Sequence, residues 1–234
     1  MIDTDEVTRR IKNSEQIVFI KFGDGEINCM LGYEGSNCDG DPYTPSLRNG
    51  LLNSLYYYTS CNNKNIFIGR WHDETIMNRI LEAYEFNNPQ FTRYHLIMNT
   101  NDFFKDNYMY EFLKSIQDTK RKKIVLSNEK NKSMKDLFKA DKFITVPPRN
   151  WYVEYGKYFE LIKNEITEDC IVFTAAGQGS KVIVANLLML FPNLTCLDIG
   201  SSFDFLCQKT KSRAWEHTYE DEYNYYKDLL PDNW

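Results

Sequence analysis

What most narrows the fold is an alternation of short apolar, β-branched runs with segments of helical apolar spacing, repeated six or seven times along 234 residues. Strands are expected over 17–22, 65–69, 94–98, 123–126, 142–146, 170–174 and 195–199. Helices are expected over 4–14, 45–60, 73–86, 102–116, 133–140, 152–166, up to 191 and in the tail over 218–230, with a further helix opening near 27. Such alternation predicts an α/β fold: a mostly parallel sheet with helices on both faces. No internal repeat and no linker interrupts the pattern. Residues 1–234 are therefore read as a single domain, with 205–234 a C-terminal tail or helix packed on it.

In sheets of this kind ligands bind beyond the carboxyl ends of the strands, where the strand order reverses. The segments that directly follow the expected strands are polar and specific: GDGE (23–26), GRWHDE (69–74), SNEKN (127–131), PPRNW (147–151), TAAGQGSK (174–181) and DIGSSFD (198–204). Chemistry is expected there.

The net charge of −5 argues against a general nucleic-acid binder, which carries basic excess. The one basic run, Lys120-Arg121-Lys122-Lys123, reads as a solvated loop before a strand. Residues 1–15 are charged throughout and offer no signal peptide, and the longest apolar run, 182–191, is too short to span a bilayer. Six cysteines form no C-x-x-C pair, so a reducing cytosol is expected, with neither a disulfide framework nor a zinc site.

Asp24 and Glu26 stand two apart after the first strand. If the extended geometry lasts one residue further they point the same way, a hard-oxygen platform for Mg²⁺ or Mn²⁺. Read plainly, Asp24-Gly25 is a turn dipeptide, with Gly23 and Gly25 supplying backbone freedom. Gly177-Gln178-Gly179-Ser180-Lys181 opens a helix and makes an anion cradle, through backbone N–H groups and the helix dipole. It is neither a Walker A loop nor a complete dinucleotide fingerprint, since Val182 stands where the third glycine belongs. Asp198, about twenty residues on, is where a ribose-binding carboxylate would stand.

His72, beside Asp73 and Glu74, is placed for a general-base or substrate role. His95 is expected to be buried in its strand, and His217 lies in the polar tail. Asp204 is a candidate for acceptor activation, or else a helix cap, and Asp73 is the other candidate for the base near the acceptor. Ser127, Asn128 and Asn131 suit a ribose, base or phosphate and equally a helix cap. Trp71, Trp151 and Phe203 suit a base or sugar face and equally the core. Asp39 and Asp41 read as turn chemistry, and Tyr219, Tyr223 and Tyr226 as the stripe of a docked helix.

KFGDGE (21–26) resembles the R/K-[FY]-G-D-G-E signature of the GT-D class of glycosyltransferases. VLSNEKN (125–131), FTAAGQGSKV (173–182) and LDIGSSFD (197–204) support the resemblance along most of the chain. It implies a Rossmann-like domain that binds a nucleotide sugar and Mn²⁺ or Mg²⁺, with Asp24 and Glu26 as the acids of a D-x-E motif. The implied activity is metal-dependent transfer from a nucleoside-diphosphate sugar, UDP foremost, to a hydroxyl of a glycan or glycoconjugate. Two other readings stand beside it. One is a methyltransferase or NAD-dependent enzyme using Gly177-Gln178-Gly179 and Asp198; the other is a non-catalytic binding module.

Overall fold

The computed structural model describes residues 2–71, 73–84, 90–97, 107–209, 218–232 and 234. Seven strands occur among them: β1 (Val18–Phe22), β2 (Ile66–Arg70), β3 (Phe91–Arg93), β4 (Lys122–Asn128), β5 (Lys142–Val146), β6 (Cys170–Ala175) and β7 (Thr195–Asp198). They pair in the order β3-β2-β1-β7-β6-β4-β5, and every pair is parallel.

Side chains alternate across the sheet, as the two-residue period requires. Val18, Ile20 and Phe22 face one core, while Ile17 and Phe19 face the other. The first core is closed by α2 (Asp24–Leu31), α3 (Pro45–Ser60), α4 (Glu74–Ala83), α7 (Tyr155–Lys163) and α8 (Gly179–Leu190). The second is closed by α1 (Thr4–Lys12), α5 (Tyr108–Asp118), α6 (Met134–Leu137), α9 (Asp204–Gln208) and α10 (Tyr219–Tyr226). Because both faces are covered, β1 and β6 are buried along their whole length.

The connection from β6 to β7 runs through α8 on the first face, whereas that from β4 to β5 runs the other way through α6 on the second. The order therefore reverses between β6 and β4, and a crevice opens beyond their carboxyl ends.

Three expectations are corrected. The third strand is Phe91–Arg93, paired with Ile68–Arg70, and residues 94–97 form a turn after it. Leu96 and Ile97 are buried there without pairing, so an apolar run alone did not signal a strand. The basic run is not a solvated loop. Lys122 and Lys123 begin β4, and buried Arg121 pairs with Asp169 at 2.6 Å while donating to Cys170 O and Thr195 Oγ1. In the tail, Tyr226 is fully buried, but Tyr223 is 40% exposed, so the tyrosine stripe docks only in part.

All six cysteines are free thiols. Among the described residues no helix is long and apolar enough to cross a membrane.

Candidate active site

Beyond the carboxyl ends of the strands lies a cleft of about 730 Å³. Its floor is built where β1, β6 and β7 end. Gly23 is the N-cap of α2 and has no side chain to cap with, so Glu26 reaches back and its Oε2 accepts from Gly23 N at 2.9 Å. Asp24 and Glu26 are thus the first and third residues of a helix, about 200° apart around its axis at 3.6 residues per turn. The expectation that extended backbone aims both the same way is overturned, because the helix starts immediately after Gly23. Asp24 is exposed to the cleft; Glu26 is buried at its edge.

Lys181, in the first turn of α8, is 5% exposed. Its Nζ lies 3.0 Å from Glu26 Oε1 and 3.0 Å from Asp198 Oδ2, and donates to Gly177 O at 3.2 Å. One hydrogen bond and two ion pairs therefore hold this ammonium in place. Asp198 Oδ2 also accepts from Lys21 N at 3.3 Å, and Oδ1 from Gly200 N at 3.2 Å. Lys21, 2% exposed, donates from Nζ to Ile199 O at 3.0 Å and lies 5.5 Å above the Tyr94 ring. Two ammoniums and two carboxylates thus share one buried patch whose formal charge cancels. Burial lowers the Lys21 ammonium to about 8, even though Asp198 works against it. Burial also acts to lower Lys181, but Asp198 and Glu26 outweigh it and raise that group above its ordinary value.

The Mn²⁺ or Mg²⁺ implied by the resemblance needs several oxygen ligands. Both oxygens of Glu26 are already in use, one on Gly23 N and one on Lys181. No cluster of three or more His, Cys, Asp or Glu side chains able to hold a metal occurs among the described residues. As arranged, the Asp24–Glu26 pair does not fit a shared cation, because an ammonium is lodged on the Glu26 side.

The walls differ in character. Beyond β2 and β3, Trp71, Tyr94 and His95 line the cleft, with Tyr94 edge-on to Trp71 at 4.9 Å and to His95 at 5.2 Å. His95 is therefore not buried in a strand, since β3 ends before it. Beyond β4 and β5 stand Asn128, Lys130, Pro147, Pro148 and Arg149. A loop holding Asn37, Cys38, Asp39 and Asp41 also borders the cleft. Asn37 Oδ1 accepts from Asp39 N and Asp41 N, and Asp41 Oδ1 accepts from Asn150 N at 2.7 Å, which ties the loop to the end of β5. Burial pushes the Asp41 carboxyl up.

Solved structures share this architecture. A structure of domain of unknown function 1792, described as having a distinct glycosyltransferase fold, matches with TM-score 0.62 and 17% identity over 98% of this chain and 89% of that one. A structure described as a new glycosyltransferase (DUF1792) from Streptococcus sanguinis matches with TM-score 0.64 and 16% identity over 98% of this chain and 92% of that one. The chain has the DUF1792 fold. No protein-family model matches it, and no curated protein matches it in sequence.

Within this DUF1792 fold the expected site residues separate into three groups. Asp24, Gly25, Glu26, Asn128, Gly177, Lys181 and Asp204 all line the cleft. Ser127, Gln178, Gly179 and Ser180 stand behind it. Ser127 stitches β4 to β6 by donating to Ala175 O at 2.8 Å, and a Cβ on Gly179 would run into the Trp151 indole. Gln178 and Gly179 instead border a void of about 20 Å³ shared with Asp41 and Trp151, enough for one water. Asp73 accepts from Thr75 N at 3.0 Å where α4 begins and is not among the residues that line the cleft, while His72 and His217 lie outside the described residues.

Asp204 is the first residue of α9 rather than its cap, and Oδ1 accepts from Asn131 Nδ2 at 2.7 Å. Asn131 also donates to Ser127 Oγ and accepts from Gln208 Nε2, so its orientation is fixed from three sides. Phe203 is core, stacked on Phe112 and edge-on to Phe138. Asp198 has both oxygens engaged and does not stand free for a ribose hydroxyl. Sequence reasoning missed Lys21 as a site residue. The available signal was a lysine between Ile20 and Phe22 in an otherwise apolar central strand.

Proposed function

We propose that this chain is a glycosyltransferase that moves a sugar from a nucleoside-diphosphate donor, with UDP as the first nucleotide to test, to a hydroxyl of a glycan or glycoconjugate. The observation that carries the reading is the cleft itself. It sits over the strand ends of a fold shared with structures described as glycosyltransferases, and its floor pairs buried lysines with two helix N-termini. The dipoles at the starts of α2 and α8 favour an anionic diphosphate. The aromatic wall of Trp71 and Tyr94 offers a flat apolar face to a base or sugar.

In the transfer, the acceptor oxygen forms a bond to the anomeric carbon as the bond to the diphosphate breaks. The acceptor proton passes to Asp204, whose carboxylate is held by Asn131. Charge that builds on the departing diphosphate meets the fixed positive groups of the floor. The test is transfer from a panel of nucleotide sugars, UDP-sugars first, to glycan acceptors, run in EDTA and with Mn²⁺ or Mg²⁺ added. Absence of turnover with every donor, together with thermal stabilisation by S-adenosylmethionine or NAD, would move the assignment to a methyltransferase or dehydrogenase.

A further inference from the structure

We propose that the donor diphosphate is met by the ammonium of Lys21 and binds without a divalent cation, because Lys181 already occupies Glu26 of the Asp24–Glu26 pair and ties it to Asp198. The inference rests on the glycosyltransferase reading and deepens it.

Two buried carboxylates facing one cavity need a counter-charge, since unpaired buried charge is costly. Here the counter-charge is covalent. The Lys181 ammonium touches both carboxylates and Gly177 O. A divalent cation at the same place would have to evict this ammonium from three acceptors, or stand beside it and be repelled. With Glu26 and Asp198 neutralised, these two carboxylates no longer repel a diphosphate.

Lys181 is committed to the two carboxylates and Gly177 O. Lys21 touches neither carboxylate with its ammonium. Among the described residues its Nζ makes one hydrogen bond, to Ile199 O, so two N–H groups remain, and Lys21 lines the cleft. The chain makes room for it: Gly200 has φ +52°, and a Cβ there would run into Nζ. Charge-assisted hydrogen bonds from a buried ammonium to phosphate oxygens are among the strong ones. Lys21 therefore serves as the phosphate contact, and Lys181 as the positioning residue that keeps the two carboxylates occupied.

The test is calorimetric binding of UDP, GDP, ADP and CDP to the full chain, in EDTA and in Mn²⁺. The expected result is that one nucleotide binds wild type equally in both, within about threefold. In EDTA, Lys21→Met should weaken that binding by about 10- to 100-fold, the range for losing a hydrogen bond to a charged group, and Lys21→Arg should recover part of it. Lys181→Met bares Glu26 and Asp198 and should make binding depend on Mn²⁺. Wild-type binding that appears only with Mn²⁺ overturns the inference and leaves the glycosyltransferase reading standing, as does unchanged affinity in a folded Lys21→Met variant. If no nucleotide binds under either condition, the glycosyltransferase reading falls as well.

Discussion

The Nζ of Lys181 and Oε1 of Glu26 lie 3.0 Å apart, joining the first turn of α8 to the first turn of α2. A second contact of the same length reaches Asp198 at the end of β7, so one ammonium ties together three strand ends. That tie should govern both stability and donor binding.

Lys181→Met removes the ammonium that contacts both buried carboxylates. Breaking a buried pair by removing one partner costs about 3–5 kcal/mol, so urea unfolding should show a loss of that order. A loss below about 1 kcal/mol would mean that the carboxylates find water or another partner, and that the tie matters little.

Stability should climb with alkaline pH through Lys21. Its folded value is lowered by burial to about 8, against an ordinary 10.5. Below 8 both folded and unfolded chains hold the proton, and the cost of the buried charge is felt in full. Between 8 and 10.5 the folded chain releases it first, so the unfolded state binds more protons and this group's contribution to stability rises with pH. Melting temperatures of wild type minus Lys21→Met, measured from pH 7 to 10, should show that rise. A flat difference would count against it.

Gly200→Ala should destabilise the floor. The residue has φ +52°, a region L residues enter at a cost of about 1–3 kcal/mol, and its new Cβ would strike Lys21 Nζ. Denaturant unfolding and nucleotide affinity should both decline. Loss of stability with affinity intact would show that Lys21 moves aside without consequence.

Asp204→Asn keeps the size of the side chain and removes the base. Turnover should fall by roughly 10²–10⁴, the usual worth of general-base catalysis, with little change in nucleotide affinity. Equal losses in both would place Asp204 in donor binding.

Much of the fold was legible in the sequence. Six of the seven described strands lie close to where apolar runs placed them, because a central parallel strand buried on both faces must be apolar throughout. The third was displaced because Leu96 and Ile97 are apolar for burial rather than for pairing. In the site, Asp24, Glu26, Gly177 and Lys181 were recognisable because residues just past strand ends must line the crevice of such a sheet. Their pairing was not recognisable, since Lys181, Glu26 and Asp198 are separated by whole strand–helix units.

By itself the sequence determined a parallel α/β sheet with its polar loops gathered at one end. That follows from local rules: two-residue alternation, helical spacing, and glycine where strands turn into helices. Tertiary structure decided which charges meet. Glu26 turned away from Asp24 because α2 starts at once after Gly23, and Lys181 reached it only because β6 packs beside β7 and β7 beside β1. Whether a carboxylate faces a cavity or an ammonium is settled by strand order, which no stretch of neighbouring residues encodes.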